Sequence, residues 1–346
     1  MMTTQLSLAS SLPDEQSRLA DVIADMADHS RKRAYATWLD EQGDPRGAFL
    51  NDVLDQWDAG AETLPTNDTL SMVWQRTCGV TLLQMMRSEK LDTLASLFPV
   101  CRPALMINLT LADSELPVGT SKFGGKPDLP DGESWPEFNG NLHTFIGQIN
   151  LAEIAITQLS GELPAKGLLS FFIFDDPIET GQPAAEGEPG AWKVIFTPDL
   201  SSLQRHTPPK AFDEGNALAP ECALEFEETL DLPYASMFDL DQDHADLFLG
   251  CRRAKELGLT KGHTDAYEEL QQALMPEREQ RSHLLGWSHP QVAADDPVDE
   301  GFRNLLTVAS EELCEWCWAD GHLLYFGISD EDLKNHRFDR TTIIDG

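Results

Sequence analysis

The residue pattern that most resembles a catalytic or metal site is a pair of cysteines, Cys314 and Cys317, separated by two residues. This spacing is typical of half a zinc site, which needs two further Cys or His ligands to complete a tetrahedron. No second pair of this kind follows in the sequence. We therefore predict no metal site and interpret the two cysteines as buried or half-buried thiols beside a strand.

A second candidate site is the glycine pair Gly124 and Gly125, which follows Lys122 closely. Such a loop could hold a phosphate, because glycines let backbone N–H groups approach an anion and a lysine adds positive charge. The spacing fits neither a P-loop nor a dinucleotide-binding fingerprint, and the nearby prolines Pro127 and Pro130 favour a turn. We therefore favour a structural turn and predict no cofactor.

Catalytic motifs are missing elsewhere in the sequence. The segment from Asp239 to Asp246 starts like a calcium loop, but His244 stands where that loop needs glycine, so a solvated helix start is the better interpretation. His289 and His322 are the best candidates for acid–base work because imidazole titrates near neutral pH. Each also belongs to a repeated motif, so packing or turn roles are favoured and no catalytic residue is predicted.

The charge of the chain limits its partners. There are 59 acidic residues against 25 basic ones, a formal net charge of -34, while 41% of residues are hydrophobic, enough for a packed core. This charge repels nucleic acid and anionic membranes, which we predict not to be partners. Its first interpretation is solubility in a salty or crowded cytoplasm, and its second is attraction of a basic protein partner. The N-terminus has no secretory signal pattern and the cysteines are few and irregularly placed, so we predict a cytoplasmic protein.

The first part of the chain predicts a small helical unit over residues 14–58, followed by a polar linker over 59–68. Trp38 and Leu39 lie on the apolar face of its second helix, and Gly43 is placed to end that helix. The string Ala36-Thr-Trp-Leu-Asp-Glu-Gln-Gly-Asp-Pro-Arg-Gly47 resembles the bacterial repeat-companion domain. This resemblance implies a small interaction or tethering module without known activity.

Residues 69–346 predict an α+β domain. Helical periodicity continues from 70 to 97, with a break predicted near Ser88. Strand-like runs follow, separated by glycine and proline turns and by a few helices, such as one at 267–274. The predicted strands cover 104–111, 145–151, 168–174, 192–197, 223–230, 305–308 and 322–328. This mixed order favours antiparallel sheets over a doubly wound parallel sheet.

The two halves of this domain, about 100–200 and 220–346, share a pattern. Gly125 precedes Phe145 by twenty residues, and Gly286 precedes Leu306 by the same interval. Each half then contains a strand that begins Gly-x-Leu-x-aromatic-Phe, from Gly167 in one half and from Gly321 in the other. The repetition predicts a duplicated sheet unit related by a pseudo-twofold axis.

Several motifs occur in one order: Ser121-Lys-Phe-Gly-Gly-Lys-Pro-Asp-Leu-Pro130, Phe145-Ile-Gly-Gln-Ile-Asn-Leu151, Leu284-Leu-Gly-Trp-Ser-His-Pro-Gln291 and Trp318-Ala-Asp-Gly-His-Leu-Leu-Tyr-Phe326. Together they resemble the YwqG-like family, a bacterial domain of unknown function, over about residues 70–346. The resemblance implies an α+β fold rich in antiparallel strands and a cytoplasmic setting. For some members it implies gene neighbourhoods that contain secreted toxins, and it implies no established activity.

Three hypotheses for function follow, of which the third is a structural or regulatory scaffold tethered by its N-terminal helices. The first is a non-enzymatic interaction protein, with an immunity-like role as one form, whose acidic surface binds a basic partner. The alternative is a small-molecule binder or hydrolase that uses a cleft between the two repeats. If the repeats pack about a pseudo-axis, that cleft is predicted to be lined by Lys122, Gly124, Gly125, Trp135, Gln148, Trp287, His289, Gln291, Asp320 and His322.

Overall fold

The computed structural model of the protein describes residues 12, 14–91, 95–154, 162–174, 190–209, 218–233, 257–287, 302–318, 321 and 323–345. The described helices are Glu15–Ala24 (α1), His29–Glu41 (α2), Pro45–Asp58 (α3), Met72–Thr77 (α4), Val80–Ser88 (α5), Thr264–Leu274 (α6) and Asp330–Lys334 (α7). Among them no helix has the length and apolar character needed to cross a membrane.

Helices α1 to α3 form where the sequence predicts them. The side chains of Asp28 and Asp44 cap α2 and α3 by accepting hydrogen bonds from the backbone N–H groups at Ser30 and Arg46. Gly43, with φ of 72°, adopts the left-handed conformation predicted at the end of α2. Helix α5 ends at Ser88, where the sequence predicts a break, and the chain makes a further turn at Gly79, with φ of 83°, between α4 and α5.

The segment predicted as a linker packs against α5. The Arg87 guanidinium donates to the carbonyl of Trp57 at 3.2 Å and also to that of Ala61, while Gln84 donates to Pro65. These bonds attach the segment after α3 to the next helical pair. The domain limits 14–58, 59–68 and 69–346 stay predictions.

Antiparallel strands form the rest of the described fold. They are Arg102–Leu111 (β1), Lys122–Phe123 (β2), Asp128–Pro130 (β3), Glu137–Phe138 (β4), Asn141–Leu142 (β5), Thr144–Asn150 (β6), Leu168–Ile173 (β7), Trp192–Thr197 (β8), Leu203–Arg205 (β9), Cys222–Asp231 (β10), His283–Leu285 (β11), Phe302–Ala309 (β12), Leu323–Ser329 (β13) and Thr342–Asp345 (β14). Ten of them make one sheet in the order β14-β13-β12-β11-β1-β10-β2-β6-β7-β8.

This strand order is symmetric about the central pair β1 and β10. Exchanging β1 with β10, β2 with β11, β6 with β12, β7 with β13 and β8 with β14 reproduces it. We call β1, β2 and β6–β8 the first half and β10–β14 the second half. The first strand of each half pairs with the second strand of the other half. The predicted α+β fold with an antiparallel, duplicated sheet is therefore confirmed.

The sheet curls until its two ends meet. The Trp192 indole of β8 donates to the carbonyl of Thr341, just before β14, at 2.6 Å. Phe171 of β7 and Phe326 of β13 lie on the concave face with ring centroids 5.0 Å apart. Because both rings are completely buried, the curled sheet encloses the apolar core shared by the two halves.

Candidate functional site

Equivalent positions in the two halves can be assigned from the strand register. Phe123 of β2 is opposite Gly147 of β6, and Leu284 of β11 is opposite Leu306 of β12. A β-bulge directly precedes Gly147 in one half and Leu306 in the other. Phe123 therefore corresponds to Leu284, and the preceding residues Lys122 and His283 also correspond.

The serines before these positions support the assignment. Ser121 accepts a hydrogen bond from the backbone N–H of Asn150 at 2.8 Å, and Ser282 accepts one from Ala309 at 2.9 Å. Asn150 ends β6 and Ala309 ends β12. The two halves thus share a serine that ties their second strand to the end of their third strand.

Lys122 is the centre of a buried charged cluster in the first half. Its ammonium donates to Glu221 at 2.8 Å and lies 4.0 Å from Asp128. Arg205 forms ion pairs with both of these carboxylates. Gln148, opposite Lys122 on β6, donates to Asp128 at 2.7 Å. The side chains of Lys122 and Asp128 are fully buried, so each charge depends on these partners.

Burial and pairing act in opposite directions on the pKa values of this cluster. Burial lowers the pKa of Lys122 below its ordinary value, although the hydrogen bond to Glu221 favours the charged form. Burial alone would raise the pKa of Asp128, but hydrogen bonds from Arg205, the Gly119 backbone and Gln148 hold it below its ordinary value. The hydrogen bonds therefore favour the charged form of Asp128, whereas at Lys122 burial outweighs the pairing.

The glycine loop that was considered as a phosphate site packs against the charged cluster around Lys122. Gly124 and Gly125 have φ of 63° and 66°, the left-handed region that favours glycine. A Cβ on Gly124 would lie 2.1 Å from the Pro220 carbonyl oxygen, and one on Gly125 would lie 2.4 Å from a Glu221 carboxylate oxygen. The close approach of a carboxylate favours a structural turn at this loop.

The corresponding position in the second half is neutral. His283 lies with Nδ1 3.1 Å from the Arg281 carbonyl and Nε2 3.2 Å from the Thr307 hydroxyl. Since a carbonyl can only accept, Nδ1 carries a proton, while the Thr307 hydroxyl beside Nε2 donates to the Asn304 side-chain oxygen at 3.1 Å. Burial, followed by the nearby positive charge of Arg278, lowers the pKa of His283 to about 3. The two halves therefore place a charged and an uncharged polar group at the same point of one fold.

Trp287 lies beyond β11 and contacts a second ion pair. Its backbone N–H donates to Asp231 at 2.7 Å, and Asp231 accepts from Arg278 at 2.8 Å. The Trp287 indole donates to the Val100 carbonyl at 2.9 Å, and the Arg102 guanidinium lies 3.4 Å from the ring centroid. Burial raises the pKa of Asp231 even though Arg278 opposes the shift.

The structure brings together Lys122, Gly124, Gly125 and Gln148 of the predicted cleft. Trp135 belongs to a neighbouring apolar cluster, where its indole donates to the His143 carbonyl at 2.8 Å. Strands β1 and β10 separate Trp287 from this group. The remaining residues, His289, Gln291, Asp320 and His322, lie outside the described residues, so the complete cleft stays a prediction.

The sequence did not predict the residues that surround Lys122 in the charged cluster. Glu221 and Arg205 are 99 and 83 residues away in sequence, and no local motif links them to Lys122. Asp128 lies within the motif that runs from Ser121 to Pro130, but its position in the chain does not reveal that it accepts a hydrogen bond from Arg205. When the acidic and basic residues of a buried ion pair come from separate loops, their spacing in the sequence does not indicate that they pair.

Glu228 was missed as well. It lies on β10 opposite Leu105, is 5% exposed, and has one carboxylate oxygen, Oε2, buried without a hydrogen-bond partner. Burial raises the pKa of Glu228 to about 8. In sequence it stands in the acidic run Glu225-Phe-Glu-Glu228, where a solvated position would be expected.

The fold and these clusters define an α+β protein built on a duplicated, curled antiparallel sheet. A family described as "Domain of unknown function (DUF1963)" matches residues 121–345. This match covers more than half of the chain, and the protein belongs to that family. No curated protein matches the chain.

Proposed function

We propose that this protein is a non-enzymatic interaction protein whose acidic surface binds a basic protein partner. The observation that carries the proposal is the acidic excess that burial leaves at the surface. The buried basic side chains, Lys32, Arg46, Lys122 and Arg278, are matched by the buried acidic side chains Glu15, Asp128, Glu228 and Asp231. The large acidic excess of the sequence therefore dominates the field that an approaching molecule meets.

The N-terminal helices illustrate this acidic surface. Over residues 14–68, Arg18 is the one exposed basic side chain, and its guanidinium lies 4.9 Å from the ring centroid of Trp38. Arg31 and Arg33 are partly buried and form ion pairs with aspartates. The exposed acidic side chains there are Asp14, Asp21, Asp25, Asp40, Glu41, Asp52, Asp55, Asp58, Glu62 and Asp68. A surface of this kind attracts cations and basic proteins over about 8 Å at physiological salt.

The charged groups of the predicted cleft support the same proposal. Lys122, Asp128 and Gln148 use their polar atoms on one another and on neighbouring loops. Satisfied, buried networks stabilise a fold more often than they bind a ligand. The alternative of a small-molecule site would need a polar group there that is free to meet a substrate.

We further propose that the chain is a YwqG-like protein with a repeat-companion module over residues 14–58 that acts in the cytoplasm. Helices α1 to α3 and the cap at Gly43 support the assignment of that module. The described cysteines Cys78, Cys101, Cys222 and Cys314 are free thiols, which suits a reducing compartment.

Retention of cytoplasmic proteins on the immobilised full chain tests the function. We expect a basic protein to be retained stoichiometrically at low salt and released at high salt. The variant Glu41→Gln/Asp52→Asn/Glu62→Gln should retain less of it, whereas the uncharged control Gln16→Asn/Gln42→Asn/Gln56→Asn should match the wild type. All six positions are exposed, so both variants should fold normally. Retention of no protein, or retention that is insensitive to salt, would overturn the proposal.

A further inference from the structure

Two exposed leucines lie near the end of β1. Leu111 is 51% exposed and Leu313 is 42% exposed, although both are large apolar side chains. Leu111 is directly opposite Cys222 on β10, and the Cys222 thiol donates to the Leu313 carbonyl at 3.7 Å. The short 3-10 helix Glu312–Cys314, which carries Leu313, also contacts β1. The two leucines therefore belong to one surface.

The symmetry of the sheet shows that this surface is uncovered only in one half. The cross-strand pair Leu111 and Cys222 corresponds to the pair Glu228 and Leu105, because Cys222 is opposite Phe123 and Leu105 is opposite Leu284. Glu228 is 5% exposed, so its position is covered by the chain itself. The same position at Leu111 lacks that cover.

Acidic side chains surround the two leucines. Asp113 follows Leu111 by two residues, and Glu312 and Glu315 flank Leu313. All three carboxylates are exposed, and none forms an ion pair within the described ranges. We call Leu111, Leu313, Asp113, Glu312 and Glu315 the acid-rimmed leucine surface. Its apolar centre and charged border are the arrangement found at protein interfaces.

We propose that the acid-rimmed leucine surface docks an amphipathic basic segment of a protein partner, with apolar side chains on one face and Lys or Arg beside them. This inference rests on the proposed function and assigns it a location. Apolar side chains of the partner would cover Leu111 and Leu313, and its cations would approach the three free carboxylates. A nucleic acid or an acidic peptide would be repelled by the same border.

A synthetic helical peptide tests the proposal, with Leu at positions i, i+3, i+4 and i+7 and Lys elsewhere. A second peptide keeps every Lys but replaces each Leu by Ser. Binding to the full chain is measured by fluorescence anisotropy at low and high salt. We expect the leucine peptide to bind more tightly than the serine peptide, and both to weaken with salt.

The variants Leu111→Ser and Leu313→Ser should each bind the leucine peptide at least about fivefold more weakly, because apolar burial is lost. Met72→Ser is the matched control, since Met72 is 50% exposed on α4 outside this surface. All three substitutions are exposed and should leave the thermal unfolding midpoint nearly unchanged.

Equal binding of the leucine peptide by wild type and both leucine variants would overturn the inference. The retained cytoplasmic protein separates this failure from failure of the proposed function. If that protein is retained equally by the wild type and by the leucine variants, the docking surface is wrong and the proposed function stands. If no basic protein is retained by any form, the proposed function fails as well.

Discussion

The two halves of the sheet place different polar side chains at the same buried position. In the first half, Lys122 is fully buried among Asp128, Glu221 and Arg205, and the cluster is charged. In the second half, His283 occupies the corresponding place with Thr307 and is neutral. The duplicated fold therefore needs a hydrogen-bonded polar group at this position, and it does not need a charge.

The central strands β1 and β10 show a second difference between the two halves. Leu111 ends β1 in an exposed position, while Glu228 at the corresponding position of β10 is buried. A pattern in which the apolar residue faces solvent and the carboxyl does not is opposite to the usual distribution. The difference teaches that coverage by neighbouring segments, which is not symmetric, decides burial in a symmetric sheet.

The largest effect is expected from breaking the charged cluster. Asp128→Ala should lower the free energy of unfolding by about 3–5 kcal/mol, because Lys122 and Arg205 would lose a buried counterion. The measurement is urea unfolding at neutral pH. As a control, Glu133→Ala removes an exposed partner of Lys193 and should cost less than about 1 kcal/mol. A loss below about 1 kcal/mol for Asp128→Ala would show that the cluster does not stabilise the first half.

The next prediction concerns the glycine beside Phe123. A Cβ on Gly147 would lie 2.4 Å from the Phe123 ring and 2.6 Å from the Lys122 carbonyl oxygen, whereas Leu306 is tolerated opposite the smaller Leu284. Gly147→Ala should therefore lower the free energy of unfolding by about 1–3 kcal/mol. Gly262→Ala, whose added Cβ meets only an ordinary contact at 3.7 Å, is the control for equilibrium unfolding.

Phe123→Leu combined with Gly147→Ala should sharpen this comparison. The double variant reproduces the smaller residue of the second half at β2, so part of the overpacking should be relieved. We expect the double variant to lose less stability than the sum of the two single losses. Strict additivity in the same unfolding measurement would contradict the assigned equivalence of Phe123 and Leu284.

Glu228→Gln should stabilise the protein at neutral pH. Because the folded pKa of Glu228 is raised to about 8, the fold favours the protonated form, and stability is lost as pH rises from about 4.5 towards 8. Removing this titration should raise the free energy of unfolding by about 1–3 kcal/mol at pH 7.5 and by almost nothing at pH 4.5. Paired unfolding curves at the two pH values measure the difference. The exposed control Glu225→Gln should show no such pH-dependent gain, and an equal gain at both pH values would refute the burial argument.

The smallest expected effect comes from His283. Its folded pKa of about 3 lies below the ordinary value of 6.5, so the unfolded chain binds the proton first and stability falls as pH drops below about 6.5. The slope from this group is about 1.4 kcal/mol per pH unit at most.

The variant His283→Gln should lose stability less steeply between pH 6.5 and 5.5, since glutamine does not titrate. His29 and His143 also have lowered pKa values and contribute in the same direction. The test is therefore the difference in slope between wild type and variant, measured by urea unfolding. Identical slopes would mean that His283 is accessible to protons in the folded state.

Much of the fold could be predicted from the sequence because its signals are local. Alternating apolar residues between glycine and proline turns predicted strands that overlap β1, β6, β7, β8, β10, β12 and β13. The predicted break near Ser88 coincides with the end of α5, but the turn at Gly79 between α4 and α5 was not predicted. Short strands such as β2 and β11 gave no periodic signal because each contains too few residues.

The candidate site was predictable only in part. The shared motif order placed Lys122 and Gln148 in one region, and they are opposite each other across β2 and β6. Their ionic partners come from distant loops, which no single sequence pattern connects.

The sequence by itself determined the acidic character, the α+β class and the repetition of the sheet, because composition and periodicity are properties of the chain. Tertiary structure decided which charges are hidden and which apolar groups stay in water. Glu228 and Leu111 differ in burial only through the segments that pack around them. Burial changes the free energy of a charge or an apolar surface by several kcal/mol, and it is set by neighbours that are remote in sequence.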